Sequence, residues 1–450
     1  MIYRILKLIV KISLHVFFRK IVIQTKLGLP KSGPLIIVVN HPNTFMDPLI
    51  VATLFKQKVG FLANASVFVN EVVNSIFRYF NVIPVYRQKD VGQGSQPDNT
   101  KTFEECTKYL KQGNALMIFP EGSSYNELRL RKIKTGTARI ALSAESENNF
   151  KLGIKILPVG LYYSDPSRFR SKIYINIDEP IDVADFEDAY NDNSVLGVQK
   201  LTASIKKSLE ENVIITQDQA QEDLFFKIKR IYKNRLLKKS ENPDTVNDEF
   251  RLTKELAKAI QYFQINSEET FQHIKNLVEE YVDLIDETEV TYSTSNNPKN
   301  KAPTMLEQGL RIIYLILGLP IYCTGIIQNY IPYKLPFFVA KKITKEIEYH
   351  APIMLSIGIL VFPLSYFLLV FGFYHLVSAR ALYLTIYFAF LPLSGFYCLH
   401  YIDLFQKTKG RLKLFLMLRK SDERILKISI LEPEIIRLLD EAREVYLKRL

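Results

Sequence analysis

The chain has 450 residues, room for two or three domains, with 48% hydrophobic residues and a net charge of +12. Basic charge with this apolar content fits an anionic membrane surface, and no zinc-finger spacing, RNA-binding aromatic motif or compact basic recognition helix points to nucleic acid. Cys106, Cys323 and Cys398 are scattered, which suggests neither a disulfide framework nor a metal cluster and suits a reducing compartment.

Residues 1–27 come first. Arg4, Lys7, Lys11, Arg19 and Lys20 interrupt the apolar pairs, and residues 1–24 contain no acid. The interruptions argue against a spanning helix, and the missing small-residue cleavage site argues against a signal peptide. Charge of one sign points to an amphipathic helix lying among lipid headgroups. The competing reading is a helix docked on the protein's own core.

Residues 28–190 read as an α/β domain. Strands are predicted at Leu35–Val39, Val59–Leu62, Asn81–Tyr86, Ala115–Phe119, Lys155–Tyr162 and Ile173–Ile177. Helical patterns fall near 45–55, 67–80, 101–112 and 135–146. The alternation implies a largely parallel sheet flanked by helices, with ligands beyond the carboxyl ends of its strands.

Three strand ends carry candidate chemistry. The first delivers Asn40-His41-Pro42-Asn43-Thr44-Phe45-Met46-Asp47-Pro48. Asn43 or Thr44 is placed to cap the following helix, whose first turn holds Asp47. A neutral imidazole takes a proton near pH 7, and a carboxylate on its other nitrogen fixes the tautomer. The plainer reading of such a pair is a surface or capping detail. The second, Val82-Ile83-Pro84-Val85-Tyr86-Arg87, ends on an arginine before a polar loop at 88–99. Arg87 can grip a phosphate bidentately or form a surface ion pair. The third is Phe119-Pro120-Glu121-Gly122-Ser123-Ser124. Gly122 permits close backbone approach, Ser123 adds a small donor, and such a loop makes an anion site. Glu121 is a candidate to orient an acceptor hydroxyl, or else a helix cap. Lys134 before Gly136, at a helix start, again suits a phosphate. Pro158, in Ile154–Gly160, belongs to a wall of the cleft.

The blocks NHPNTFMDP, NVIPVYR, FPEGSSYNELRLRKIKTG and ILPVGLYY, in this order, resemble the PlsC-like glycerolphosphate acyltransferase family over roughly residues 30–185. The resemblance implies an acyl-CoA or acyl-carrier-protein thioester as donor and glycerol 3-phosphate or a lysophospholipid as acceptor. No metal site is apparent in the sequence, and no cofactor besides the thioester co-substrate is expected. By position, His41 is the general base, Asp47 its orienting acid and Arg87 the phosphate ligand. Glu121 and Gly122 shape the acceptor site, and Pro158 is the proline of the last motif. Asn43, Ser123 and Lys134 complete the expected substrate-binding set. The common pattern has four residues between His and Asp; this chain has five. One extra residue turns a helical Asp by about 100°, so the pair meets only if Pro42-Asn43 loops out first. The wider spacing, and Leu130-Arg131-Lys132-Ile133-Lys134-Thr135-Gly136, resemble the glycerol-3-phosphate and dihydroxyacetone-phosphate acyltransferase branch.

Residues 191–303 read as a helical accessory region with polar breaks at 239–244 and 293–303. Residues 304–410 form the membrane region. Stretches 351–373 and 381–402 are uncharged and long enough to span. Basic flanks on both sides predict a hairpin with the catalytic domain on the cytoplasmic face. The stretch 312–333, broken by Gly318, Pro320, Gly325 and Pro332, is expected to be re-entrant, with a third span as the alternative. The tail, 411–450, has a basic amphipathic pattern. Two rivals of other classes are a membrane scaffold that kept the fold without activity and a lipid hydrolase using water as acceptor. The absence of a Gly-x-Ser-x-Gly elbow argues against an acyl-enzyme.

Overall fold

The computed structural model describes residues 2–86, 99–238, 246–288, 305–420 and 422–449. Arg87, most of the loop after it, the break at 239–244 and the linker at 293–303 lie outside the described residues. The chain divides into two compact units, one of residues 1–215 with 340–356, the other of 216–339 with 357–450.

The first unit is built on an eight-stranded sheet in the order β1-β7-β6-β2-β5-β3-β4, with β8 also paired to β6. The strands are β1 Lys20–Thr25, β2 Leu35–Val39, β3 Val59–Asn64, β4 Val82–Val85, β5 Ala115–Ile118, β6 Lys155–Tyr163, β7 Lys172–Ile177 and β8 Ile181–Asp182. From β4 to β6 the strands are parallel; β7 and β8 pair antiparallel with β6, and β1 follows β7. Apolar strands such as Leu35-Ile36-Ile37-Val38-Val39, buried at every position, are what a sheet covered on both faces requires. Helices Met46–Leu54, Glu71–Tyr79, Thr100–Lys111 and Gly136–Ser146 lie where the 3.6 periodicity predicts them, within a few residues.

Because β2, β5 and β6 run in parallel as neighbours, their carboxyl ends share one edge of the sheet. That edge receives His41, Glu121 and Tyr163. Within β6, Gly160 lies against helix Ser194–Asn212. A Cβ there would fall 2.2 Å from the Asn212 carbonyl oxygen, so glycine is required by close approach.

The amino-terminal reading needs one correction. The helix occupies Ile2–Phe17 and stops; Lys20–Thr25 is an edge strand, not a continuation. Ile21, Val22 and Ile23 favour extended backbone, and they pair in register with Ile173–Ile175. On the helix, Ile2, Ile5, Leu8 and Ile12 are exposed while Leu14 and Phe17 are buried.

The second unit contains helices Gln219–Lys238, Val246–Asn266, Glu268–Thr288 and Glu423–Leu447. Arg235 forks onto Asp440 Oδ2 at 2.6 and 2.9 Å, and the Tyr232 hydroxyl also bonds Asp440. Three further helices, Met305–Ile343, His350–Leu376 and Ala381–Arg419, are long and apolar enough to cross a membrane. The stretch 312–333 lies inside the first of these as continuous helix, without the re-entrant turn expected from its prolines. Pro320, Pro332 and Pro336 each remove one backbone donor without ending it.

Candidate active site

The His41 turn begins where β2 ends. Asn40 continues the β2–β6 pairing with its side chain: Nδ2 donates to the Leu161 carbonyl at 3.0 Å and Oδ1 accepts the Leu161 N–H at 2.7 Å. This fixes the chain immediately before His41. The His41 peptide is then held on both sides. Its N–H donates to Glu121 Oε1 at 3.0 Å, and its carbonyl accepts the Tyr125 N–H at 3.1 Å.

The wide His-x5-Asp spacing is absorbed by a turn over residues 42–45. The helix starts only at Met46, preceded by Phe45 as N-cap residue with no side-chain cap, so neither Asn43 nor Thr44 takes that role. Thr44 has φ +37°, an uncommon conformation for a β-branched residue. Such backbone costs on the order of 1–3 kcal/mol. Two bonds, each worth about 1 kcal/mol, offset part of it. The Thr44 N–H donates to Ser124 Oγ at 2.9 Å, and its hydroxyl donates to the Glu348 carbonyl at 3.0 Å.

The turn brings His41 Nδ1 to 2.9 Å from Asp47 Oδ2. Asp47 is fully buried, so its charge needs donors on every side. Oδ2 also accepts the Asn43 N–H at 2.8 Å, and Oδ1 accepts the Tyr163 hydroxyl at 2.6 Å. Burial first, then the Asp47 charge and this hydrogen bond, holds the Tyr163 phenol well above its ordinary range, so it remains a donor. Asp47 accepts the Nδ1 proton, which leaves Nε2 as the basic atom. Among the described residues Nε2 has no hydrogen-bond partner. The imidazole is 18% exposed and stacks on Phe119 at 3.9 Å between ring centroids. It is therefore fixed in plane and still reachable.

Glu121 braces this turn from β5. With Oε1 on His41, Oε2 accepts the Arg131 N–H at 2.9 Å. Burial raises its pKa, partly offset by these two amides. Gly122 has φ +75°, and a Cβ there would meet Lys134 Nζ at 2.3 Å. The Lys134 ammonium thus lies over the bare Gly122 backbone, a cation beside a loop that can present amides. Ser123 Oγ donates to the Gly122 carbonyl at 2.9 Å. Arg129 and Arg131 both pair with Glu127, and the Arg131 guanidinium lies 4.2 Å over the Tyr125 ring.

The expected residues thus divide. His41 and Asp47 meet directly, with Glu121 behind His41 and Gly122 and Lys134 in contact. Asn43 is fully buried and donates through Nδ2 to the Pro166 carbonyl at 3.0 Å, so it supports the turn from inside. Pro158 sits inside the sheet, paired with Val38, its carbonyl accepting the Asp178 N–H at 3.0 Å. Arg87 lies outside the described residues. Sequence reading assigned no role to Asn40, Phe119 or Tyr163, and gave Thr44 only that of a candidate helix cap. The only local hint was that two tyrosines, Tyr162 and Tyr163, end a strand otherwise free of polar side chains after Lys155.

Residues 20–162 match the family model described as Acyltransferase, and this stretch is an acyltransferase domain. Glycerol-3-phosphate O-acyltransferase 2 of Saccharomyces cerevisiae is 34% identical over 113 residues, 25% of this chain and 15% of that one. The 1-acyl-sn-glycerol-3-phosphate acyltransferase of Borreliella burgdorferi is 28% identical over 191 residues, 41% of this chain and 70% of that one. The crystal structure of the 1-acyl-sn-glycerophosphate acyltransferase PlsC from Thermotoga maritima aligns with a TM-score of 0.34 at 21% identity, over 46% of this chain and 77% of that one. Among the fungal relatives the chain spans only 15% to 38% of their length.

Proposed function

We propose that this chain, built on the acyltransferase domain of residues 20–162, moves a fatty acyl group from a thioester donor, acyl-CoA or acyl-carrier protein, to the free hydroxyl of glycerol 3-phosphate. The observation that carries the reading is His41 oriented through Nδ1 by a buried carboxylate, with its imidazole still partly exposed.

In the proposed reaction the acceptor hydroxyl gives its proton to His41 Nε2 as its oxygen attacks the thioester carbonyl. Asp47 stabilises the imidazolium that forms. The tetrahedral intermediate collapses, the carbon–sulfur bond breaks, and the thiolate leaves with the proton returned by His41. General-base assistance of this kind contributes typically about 10²–10⁴-fold. Lys134 over Gly122 supplies a cation for the acceptor phosphate, with Arg87 as the further candidate. Fixing that phosphate converts binding energy into orientation of the hydroxyl. The three apolar helices and the exposed apolar face of helix Ile2–Phe17 support work at a membrane. The ground for placing the domain on the cytoplasmic face is the basic residues flanking 351–402.

A second reading keeps the chemistry and changes the acceptor to 1-acylglycerol 3-phosphate. It is favoured by the similarity to the Borreliella burgdorferi acyltransferase over 70% of that protein. Purified full-length chain in lipid micelles, given labelled acyl-CoA and both acceptors together, separates the two. Preferential labelling of glycerol 3-phosphate is expected. Labelling of the lysolipid alone would replace the first reading by the second, and label appearing only as free fatty acid would replace both by hydrolysis.

A further inference from the structure

Thr44, inside the turn of the wide His-x5-Asp spacing, has φ > 0, and it is 95% buried in a conformation that threonine rarely adopts. A glycine or asparagine would sit there with less strain. What threonine adds is a hydroxyl, and that hydroxyl donates to the Glu348 carbonyl at 3.0 Å, 304 positions away in sequence. Glu348 belongs to the connector between the first two apolar helices, residues 344–349, within the 340–356 segment that is part of the catalytic unit. The connector has a defined shape: the Glu346 N–H donates to Thr344 Oγ1 at 3.1 Å, and the His350 ring contacts the Thr344 carbonyl at 3.0 Å. Thr44 also accepts the Asp47 N–H on its carbonyl at 3.3 Å and donates its own N–H to Ser124. One residue therefore touches the connector, the loop carrying Glu121 and the backbone of Asp47.

We propose that Thr44 is a positioning residue through which the connector at 344–349 holds the His41–Asp47 pair in its productive geometry. The proposal rests on the acyl-transfer reading for its kinetic consequence only; the geometric consequence stands without it. Docked, the Glu348 carbonyl fixes the Thr44 hydroxyl and with it the left-handed turn that lets His41 reach Asp47. Undocked, the turn relaxes toward φ < 0 and the Asp47 carboxylate swings away from Nδ1. The segment joining two apolar helices is then a structural member of the catalytic turn.

Full-length wild type, Thr44→Val, Thr44→Ser and a Gly-Gly insertion after Glu346 test this, each in the same lipid micelles. Valine keeps the shape and removes the donor; serine keeps the donor. Hydrogen exchange of amides 43–47 is read first, without substrate. It is expected to rise about tenfold or more in Thr44→Val and in the insertion, and to return most of the way to wild type in Thr44→Ser. Acyl transfer is read second. For Thr44→Val, kcat is expected to fall about tenfold or more with KM within about twofold, since small misplacements of this kind act on orientation. Serine is expected to recover most of the rate. Combining valine with the insertion should add little to either alone. Wild-type exchange in Thr44→Val, or additive effects in the combined variant, would overturn the proposal. If the insertion does not fold, the valine and serine pair decides alone. A wild-type chain without acyl transfer, with the exchange pattern intact, would count against the function and not against the role of Thr44.

Discussion

Asp47 shows how much support one buried charge needs. Taking a carboxylate out of water costs several kcal/mol unless donors replace the solvent. Here a histidine, a backbone amide and a phenol do so. Tyr163 is the donor that can be removed with least change of shape. Tyr163→Phe deletes a hydrogen bond to an ionised group, worth about 1.5–3 kcal/mol. The expected result is a fall of about tenfold or more in kcat/KM for acyl transfer, measured beside wild type under the same lipid conditions. An unchanged kcat/KM would mean that Tyr163 only fills the core. The histidine and aspartate were legible in the sequence because both lie in one short motif. Tyr163 and Thr44 were not, because their partners lie 116 and 304 positions distant and no local pattern encodes such contacts.

At the scale of elements, β6 organises the catalytic unit, since β2, β7 and β8 all pair with it. Its neighbourhood is closed by Asp178, just after β7. Asp178 accepts from Asn212 Nδ2 at 2.8 Å, from the Ser208 hydroxyl and from Lys26 at 2.6 Å. Burial alone would raise its pKa, but Lys26, Ser208, the Glu179 amide and Asn212 together outweigh that and lower it. A lowered folded-state pKa adds stability above the ordinary aspartate range, near 4, and loses it as pH falls toward the lowered value. Asp178→Asn is therefore expected to lower the urea midpoint at pH 7 and to differ less from wild type near pH 3. Equal losses at both pH values would assign the effect to shape and not to charge.

The strands and helices of this unit were legible to within a few residues, because buried β-branched runs and 3.6-residue patterns alternate cleanly from Leu35 to Ile177. Strand β1 was not. Its mix of cations and apolar residues continues that of the preceding helix, and the extended preference of Ile21, Val22 and Ile23 is realised by pairing with the distant β7.

Across the whole chain, hydropathy located the apolar helices, since long uncharged stretches leave few alternatives. It misjudged 312–333 by weighting proline as in water. Inside an apolar bundle, breaking a helix exposes more backbone than each proline removes, so continuous helix is the lesser cost. The bundle also uses polar contacts. Asn329 Nδ2 donates to the Leu391 carbonyl at 3.1 Å and Oδ1 accepts the Tyr366 hydroxyl at 2.7 Å, joining all three helices. Small residues let them approach: a Cβ at Gly325 would meet Cys398 Sγ at 2.7 Å.

The central claim is that His41 is the base. The most direct measurement is the single-turnover rate of acyl transfer by full-length His41→Ala, with folding checked by its urea midpoint. The account expects a rate lower by about 10²–10⁴-fold in a protein that remains folded and lipid-bound. A folded His41→Ala variant that transfers acyl groups at the wild-type rate would contradict it.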